Sequence, residues 1–120
     1  VALLLEVLDL KTMQMAGELP ETISAVALCG GSGSEFAETA KRSGADLYIS
    51  AEIKHNVGRW AEENDFCIID GTHYATEKPA VRLLAEQLRE YNRAHNWNLQ
   101  IKETETEDHP FSAVDEYRYR

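Results

Sequence analysis

Basic residues are scarce in this 120-residue chain, 12 Lys and Arg against 21 Asp and Glu, for a formal net charge of −9. Binding a nucleic-acid backbone needs a positive footprint, so the balance argues against nucleic acid as the main partner. It leaves room for a small anionic substrate held by a metal or a helix N-terminus. Long apolar runs are also lacking: no stretch reaches the roughly 18 to 20 residues of a membrane span. No signal peptide is visible, which points to a cytoplasmic location. There are two cysteines, Cys29 and Cys67, and no C-x-x-C, so a thiolate zinc framework is ruled out. Both read as buried reduced thiols in strands, able to pair only if those strands are adjacent. The run Gly30 to Ser34 lacks the Gly-Lys-Ser/Thr of a Walker A loop. Phe36 stands where a dinucleotide fingerprint has its third glycine.

What is present is the composition of a globular domain, 43% apolar and 28% charged, at a length that supports one core. Residues 2 to about 9 have the apolar density of a helix, and Lys11 to Ala16 alternates weakly, as an edge strand does. Gly17 to Thr22, with Pro20, is a connection. Ile23 to Leu28 is a continuous apolar run of strand length, the pattern of a strand covered on both faces. The Gly-Ser stretch leads into a helix over Glu35 to Lys41, with Ser32 or Ser34 as N-cap and Gly44 closing it. Asp46 to Ser50 is the next strand, followed by a helix running through Trp60 to Glu63. Phe66 to Ile69 is another strand, ending in Asp70-Gly71.

Ala80 to Ala94 is the clearest helix, with Val81, Leu84, Leu88 and Tyr91 as its apolar stripe. Thr76 reads as its N-cap and Pro79 suits its first turn. Asn98 to Thr104 alternates as a final strand, Asp108 to Phe111 is a turn or docking segment, and Asp115 to Arg120 is a frayed tail. His95 and His109 read as surface residues. This order predicts an α/β fold: a mostly parallel or mixed sheet flanked by helices, in a single domain over 1–120 with a tail from 109. The chain opens at Val1 inside an apolar segment, without Met, and reads as part of something longer.

In open α/β sheets ligands sit beyond the C-terminal ends of the strands, and three such ends carry polar chemistry here. The first bears Ser32 and Gly33, whose backbone N–H groups would cradle an anionic substrate, although a tight strand-to-helix turn is the plainer reading. The second bears Glu52, Lys54 and His55. Either Glu52 or His55 would serve as general base or orienting group, although each alone reads as a surface residue. The third bears His73 and Glu77. On a helix already begun at His73 the two share a face, and an imidazole beside a carboxylate suits a divalent metal. Glu77 would also sit in the first helical turn, where the macrodipole favours an acid. The plain alternative is ordinary helix-start chemistry, since H-x-x-x-E arises by chance. A metal site needs three or four ligands, so two donors require others.

Three stretches together carry a likeness: Ala27 to Ser34 (ALCGGSGS), Gly44 to His55 (GADLYISAEIKH) and Gly71 to Glu77 (GTHYATE). In this order they resemble the NIF-three-like family, whose members are often labelled dinuclear-metal-centre proteins or GTP cyclohydrolase type-two homologues. Glu103 to Phe111, with its Pro-Phe, is similar to the family's C-terminal end. The resemblance implies that His73 and Glu77 are metal ligands and that this chain is the C-terminal half of a longer protein. The remaining ligands, a His-His pair and an Asp, would come from its N-terminal half. Two divalent ions (Zn, Fe, Mn or Ni) and a toroidal homohexamer are implied as well. Two departures stand out. The small-then-Gly step before the histidine reads Asp70-Gly71-Thr72, and the usual glycine before the acid is Ala51.

The function this implies is a dinuclear-metal-dependent hydrolase, acting on a nucleotide-like, phosphorylated or cyclic-amide substrate. The alternative is a metal-stabilised scaffold or interaction module without turnover. A third reading is a folding unit that binds metal weakly or not at all. An apolar strand edge turned toward a missing half would also favour self-association.

Overall fold

The computed structural model describes residues 1–112 and Val114; the tail read at Asp115 to Arg120 lies outside the described residues. The elements are α1 (Ala2–Val7), β1 (Gln14–Ala16), β2 (Val26–Ser32), a 3-10 turn (Ser34–Phe36), α2 (Ala37–Arg42), β3 (Leu47–Ala51), α3 (His55–Glu63), β4 (Cys67–Asp70) and α4 (His73–His95). The strands form one sheet in the order β1-β4-β3-β2. β2, β3 and β4 are parallel, and β1 lies antiparallel on β4 as an edge. This is a mixed α/β sheet flanked by helices, as alternating strands and helices require. β2 and β4 are separated by β3, and both cysteines are free.

The chain divides into two units, Val1–Ala80 and Val81–Arg120. In the first, the two-residue period of the strands sorts side chains onto two faces. Tyr48 and Ile68 point to a core shared with Ala37, Ala40, Ala61 and Phe66, which come from α2, α3 and the approach to β4. Leu47, Ile49, Cys67 and Ile69 point the other way and meet Leu4 and Met13. All of β3 is buried.

β2 departs from expectation. The strand begins at Val26 rather than Ile23, and it is an edge strand, not one covered on both faces: Leu28 is 72% exposed and Val26 47%. The Gly-Ser stretch belongs largely to the strand. Between the pairs Leu28–Ile49 and Ser32–Ala51 the register shifts, so Cys29, Gly30 and Gly31 face the single residue Ser50. This bulge bends the strand end toward the start of α4.

The helix starts also differ. Neither Ser32 nor Ser34 caps α2. The buried Ser34 hydroxyl instead accepts the Lys54 N–H at 2.8 Å, tying the end of β2 to the start of α3. α4 begins at His73, so Thr76 is not its N-cap, Pro79 lies inside it, and Glu77 stands beyond the first turn. The first turn forms because the Thr72 carbonyl accepts the Thr76 N–H at 3.2 Å and the Thr72 hydroxyl accepts the Ala75 N–H.

In the second unit, Asn98 to Thr104 forms no strand. The Asn92 side chain binds the backbone of Leu99 through both N–H and carbonyl, each at 2.9 Å, and Arg89 pairs with Glu103. The Asn92 bonds, with one donated by Arg89 Nη2 to the Ile101 carbonyl at 3.4 Å, satisfy backbone groups that have no neighbouring strand among the described residues. Tyr91, His95 and Trp97 stack on one another. Among the described residues no helix is long and apolar enough to cross a membrane.

Candidate metal centre

The parallel strands β2, β3 and β4 end side by side, and their ends bring His73 between two carboxylates. Its Nδ1 lies 2.8 Å from Glu52 Oε1, just after β3, and its Nε2 lies 3.1 Å from Glu77 Oε2, one turn along α4. All three side chains are exposed. Gly31, at the β2 bulge, closes over this pair. Its φ is +68°, and a Cβ there would stand 2.2 Å from Glu77 Oε1 and 3.1 Å from His73 Nε2. The bulge is pinned by the Gly31 N–H, which donates to Thr76 Oγ1 at 2.9 Å, and by Ser50 Oγ, which donates to the Gly31 carbonyl at 3.1 Å.

The hydrogen bond from His73 holds the Glu52 carboxyl below its ordinary range, helped by one from Ser32. The bond to Glu52 likewise holds the His73 imidazole above its ordinary range, against partial desolvation and with help from Glu77. When the ring is neutral and Nδ1 keeps its proton for Glu52, Nε2 presents a lone pair to another lone-pair donor at Glu77. Two acceptors at 3.1 Å repel unless a cation, proton or metal, joins them. Donors on one first-row metal, with bonds of about 2.0 to 2.2 Å, stand roughly 3 Å from one another. The pair therefore fits part of a mixed N/O metal site. Among the described residues, however, no group of three His, Cys, Asp or Glu is arranged to hold a metal.

The other candidates divide. Glu52 joins His73, and Ser32 joins Glu52. Gly33 is buried, with its N–H directed to the Ala51 carbonyl at 3.4 Å and its carbonyl accepting Tyr48 OH at 2.6 Å. With the Gly31 N–H on Thr76, two of the loop's backbone donors are engaged within the protein. His55 opens α3 and lines a hollow of about 440 Å³ with Met15, Ile53 and Arg59, a lining that includes none of Glu52, His73 and Glu77. Lys54 lines the same hollow.

Three residues that matter here are not apparent from spacing. Thr76 locks the bulge. Thr72 takes a left-handed φ of 64° immediately before His73, where β-branched residues are rarely found. Asp70 accepts the N–H of Thr72, two residues on, at 2.9 Å. Only this last contact had a local signal, an Asp-Gly at a strand end that forms an Asx turn.

Comparison with known proteins adds to this geometry. A profile of the Duf34/NIF3 (NGG1p interacting factor 3) family matches residues 1–110. A Streptomyces coelicolor protein named GTP cyclohydrolase 1 type 2 homolog is 31% identical over 102 residues, covering 84% of this chain and 36% of its own length. A Streptococcus pneumoniae protein of the same name is 30% identical over 113 residues, covering 91% and 42%. The crystal structure of a Bacillus cereus protein related to NIF3 superposes with a TM-score of 0.83 at 29% identity, covering 92% of this chain and 30% of that one. The chain thus spans well under half the length of these relatives.

Proposed function

The chain belongs to the Duf34/NIF3 family, and from that premise we propose that it contributes His73 and Glu77 to the metal centre of a dinuclear-metal-dependent hydrolase. The observation that carries this is the facing of Nε2 and Oε2 at 3.1 Å while Nδ1 is already engaged by Glu52. Two donors are too few for a site. The chain's share of its relatives' length supports reading it as part of a longer protein, and the proposal takes the other donors to come from the rest of that protein.

Metal ions held there would supply Lewis acidity, lowering the pKa of a bound water and offsetting charge on a carbonyl or phosphoryl oxygen. The residues of this chain hold and shape that place. His73 and Glu77 present donors from one helix face, Glu52 keeps the ring proton on Nδ1, and Gly31 limits the space beside Glu77 to what a residue without a side chain allows. The relatives' name, GTP cyclohydrolase 1 type 2 homolog, supports a nucleotide-like or cyclic-amide substrate.

A second reading, a metal-stabilised scaffold, is favoured by the exposed apolar edge of β2, which suits association. Chelation separates the two. In a protein of the relatives' full length, the hydrolase reading expects hydrolysis of GTP or a simple phosphodiester to vanish on metal removal and return on readdition, with the oligomer intact. Loss of the oligomer, with no turnover before or after, favours the scaffold.

A further inference from the structure

We infer that Asp70 and Glu52 are positioning residues for His73, which together hold its proton on Nδ1 and aim Nε2 at Glu77; the inference rests on the metal reading of that pair. β3 and β4 each run into a residue with left-handed backbone that is not glycine, Glu52 at φ 52° and Thr72 at φ 64°. Such conformations persist only where surrounding contacts determine them. The half-buried carboxylate of Asp70 supplies those contacts to both loops at once. Its Oδ2 accepts the N–H of Ile53, the residue after Glu52, and its Oδ1 accepts the N–H of Thr72, the residue before His73, each at 2.9 Å. A second tie, from the Gly71 N–H to the Ser50 carbonyl at 2.9 Å, joins the same two strand ends.

One side chain therefore sets the separation between the backbone that carries Glu52 and the backbone that carries His73. Within that frame Glu52 Oε1 reaches His73 Nδ1 at 2.8 Å. In a neutral imidazole, which nitrogen keeps the proton is decided by the hydrogen bond the other surroundings offer. A carboxylate on Nδ1 leaves Nε2 as the free lone pair, the arrangement in which an orienting carboxylate raises the basicity of a ligating histidine. Asp70 acts one step further out, since it touches neither the ring nor Glu77 in these contacts.

The test reads the ring directly, without metal. The imidazole ¹⁵N shifts of His73 are measured in the 120-residue chain at a pH well above the imidazole range, for wild type, Glu52→Gln, Glu52→Ala and Asp70→Asn. The expected result is an Nδ1–H tautomer in wild type, retained in Glu52→Gln because an amide oxygen accepts the same bond, and lost in Glu52→Ala. Asp70→Asn replaces one accepting oxygen with a donor and gives a mixture of tautomers. In a protein of the relatives' full length, where the remaining donors are present, Zn²⁺ titration should show weakening of about 10- to 100-fold in Glu52→Ala, and less in Glu52→Gln. An unchanged Nδ1–H tautomer in Glu52→Ala overturns the inference, and the Glu52 pair decides it even if Asp70→Asn does not fold. If, in a protein of the relatives' full length, His73→Ala binds Zn²⁺ as wild type does, the metal reading falls, while the tautomer result still judges the positioning claim.

Discussion

β2 and β3 lie side by side in one sheet and are both rich in apolar residues, yet every residue of β3 is buried while Leu28 of β2 is 72% exposed. The difference lies in sheet position. β3 has a strand on each side and apolar residues over both faces, whereas among the described residues β2 has a strand on one side only and packs Ala27 and Cys29, on one face, against the core. The two strands also end differently. β3 stops cleanly at Ala51, whereas β2 bulges through Cys29, Gly30 and Gly31 and comes up against Thr76 and Glu77. The inner strands supply stability, and the irregular edge shapes the site.

Four substitutions break or sharpen this contrast, each followed by urea denaturation. Ile68→Ala, in a neighbouring inner strand at a residue 1% exposed, should cost about 2 to 5 kcal/mol. A cost near zero would mean that the sheet interior is not the source of stability. Gly31→Ala should cost less, about 1 to 2 kcal/mol for forcing a Cβ into left-handed backbone. It should also push the Glu77 carboxylate off His73, so metal affinity falls by more than stability predicts.

Asp46 tests the entry to β2. Its carboxylate accepts the N–H groups of Ser24 and Ala25, and those bonds, Ala25 foremost, hold its carboxyl below the ordinary range. A folded pKa below the unfolded one means the contribution is full above the unfolded value and fades as pH falls through the folded value. The wild-type urea midpoint should therefore drop on acidification more than that of Asp46→Asn, and identical pH profiles would contradict the assignment. The smallest effect belongs to Leu28→Ser, which should stay within about 0.5 kcal/mol while reducing any self-association seen by sedimentation.

The same contrast explains what could be read from the chain alone. The alternation of strands and helices, the convergence of three strand ends, and the shared face of His73 and Glu77 follow from local patterns, and all appear in the structure. Much of what escaped depends on partners distant in sequence. An apolar run does not say whether both faces of its strand are covered: Ala27 and Cys29 pack against the core, but Val26 and Leu28 on the other face are exposed. Pro79 suits a helix start, but Thr72 and Thr76 secure a turn a few residues before it, a local competition between two start signals. Asn98 to Thr104 alternates like a strand but has no strand beside it among the described residues. Ser34 had the composition of a cap but turned to Lys54 instead. The arm of the Asp70 bridge that reaches Ile53, next to the left-handed Glu52, is revealed by no spacing rule, whereas the arm to Thr72 had the Asp-Gly turn as its local signal.

The most direct measurement is metal content per chain by elemental analysis, on a protein of the relatives' full length and on the 120-residue chain, each with and without His73→Ala. The account predicts about two metal ions in the longer protein, lost with the substitution. A longer protein that is metal-free and indifferent to His73→Ala would contradict it.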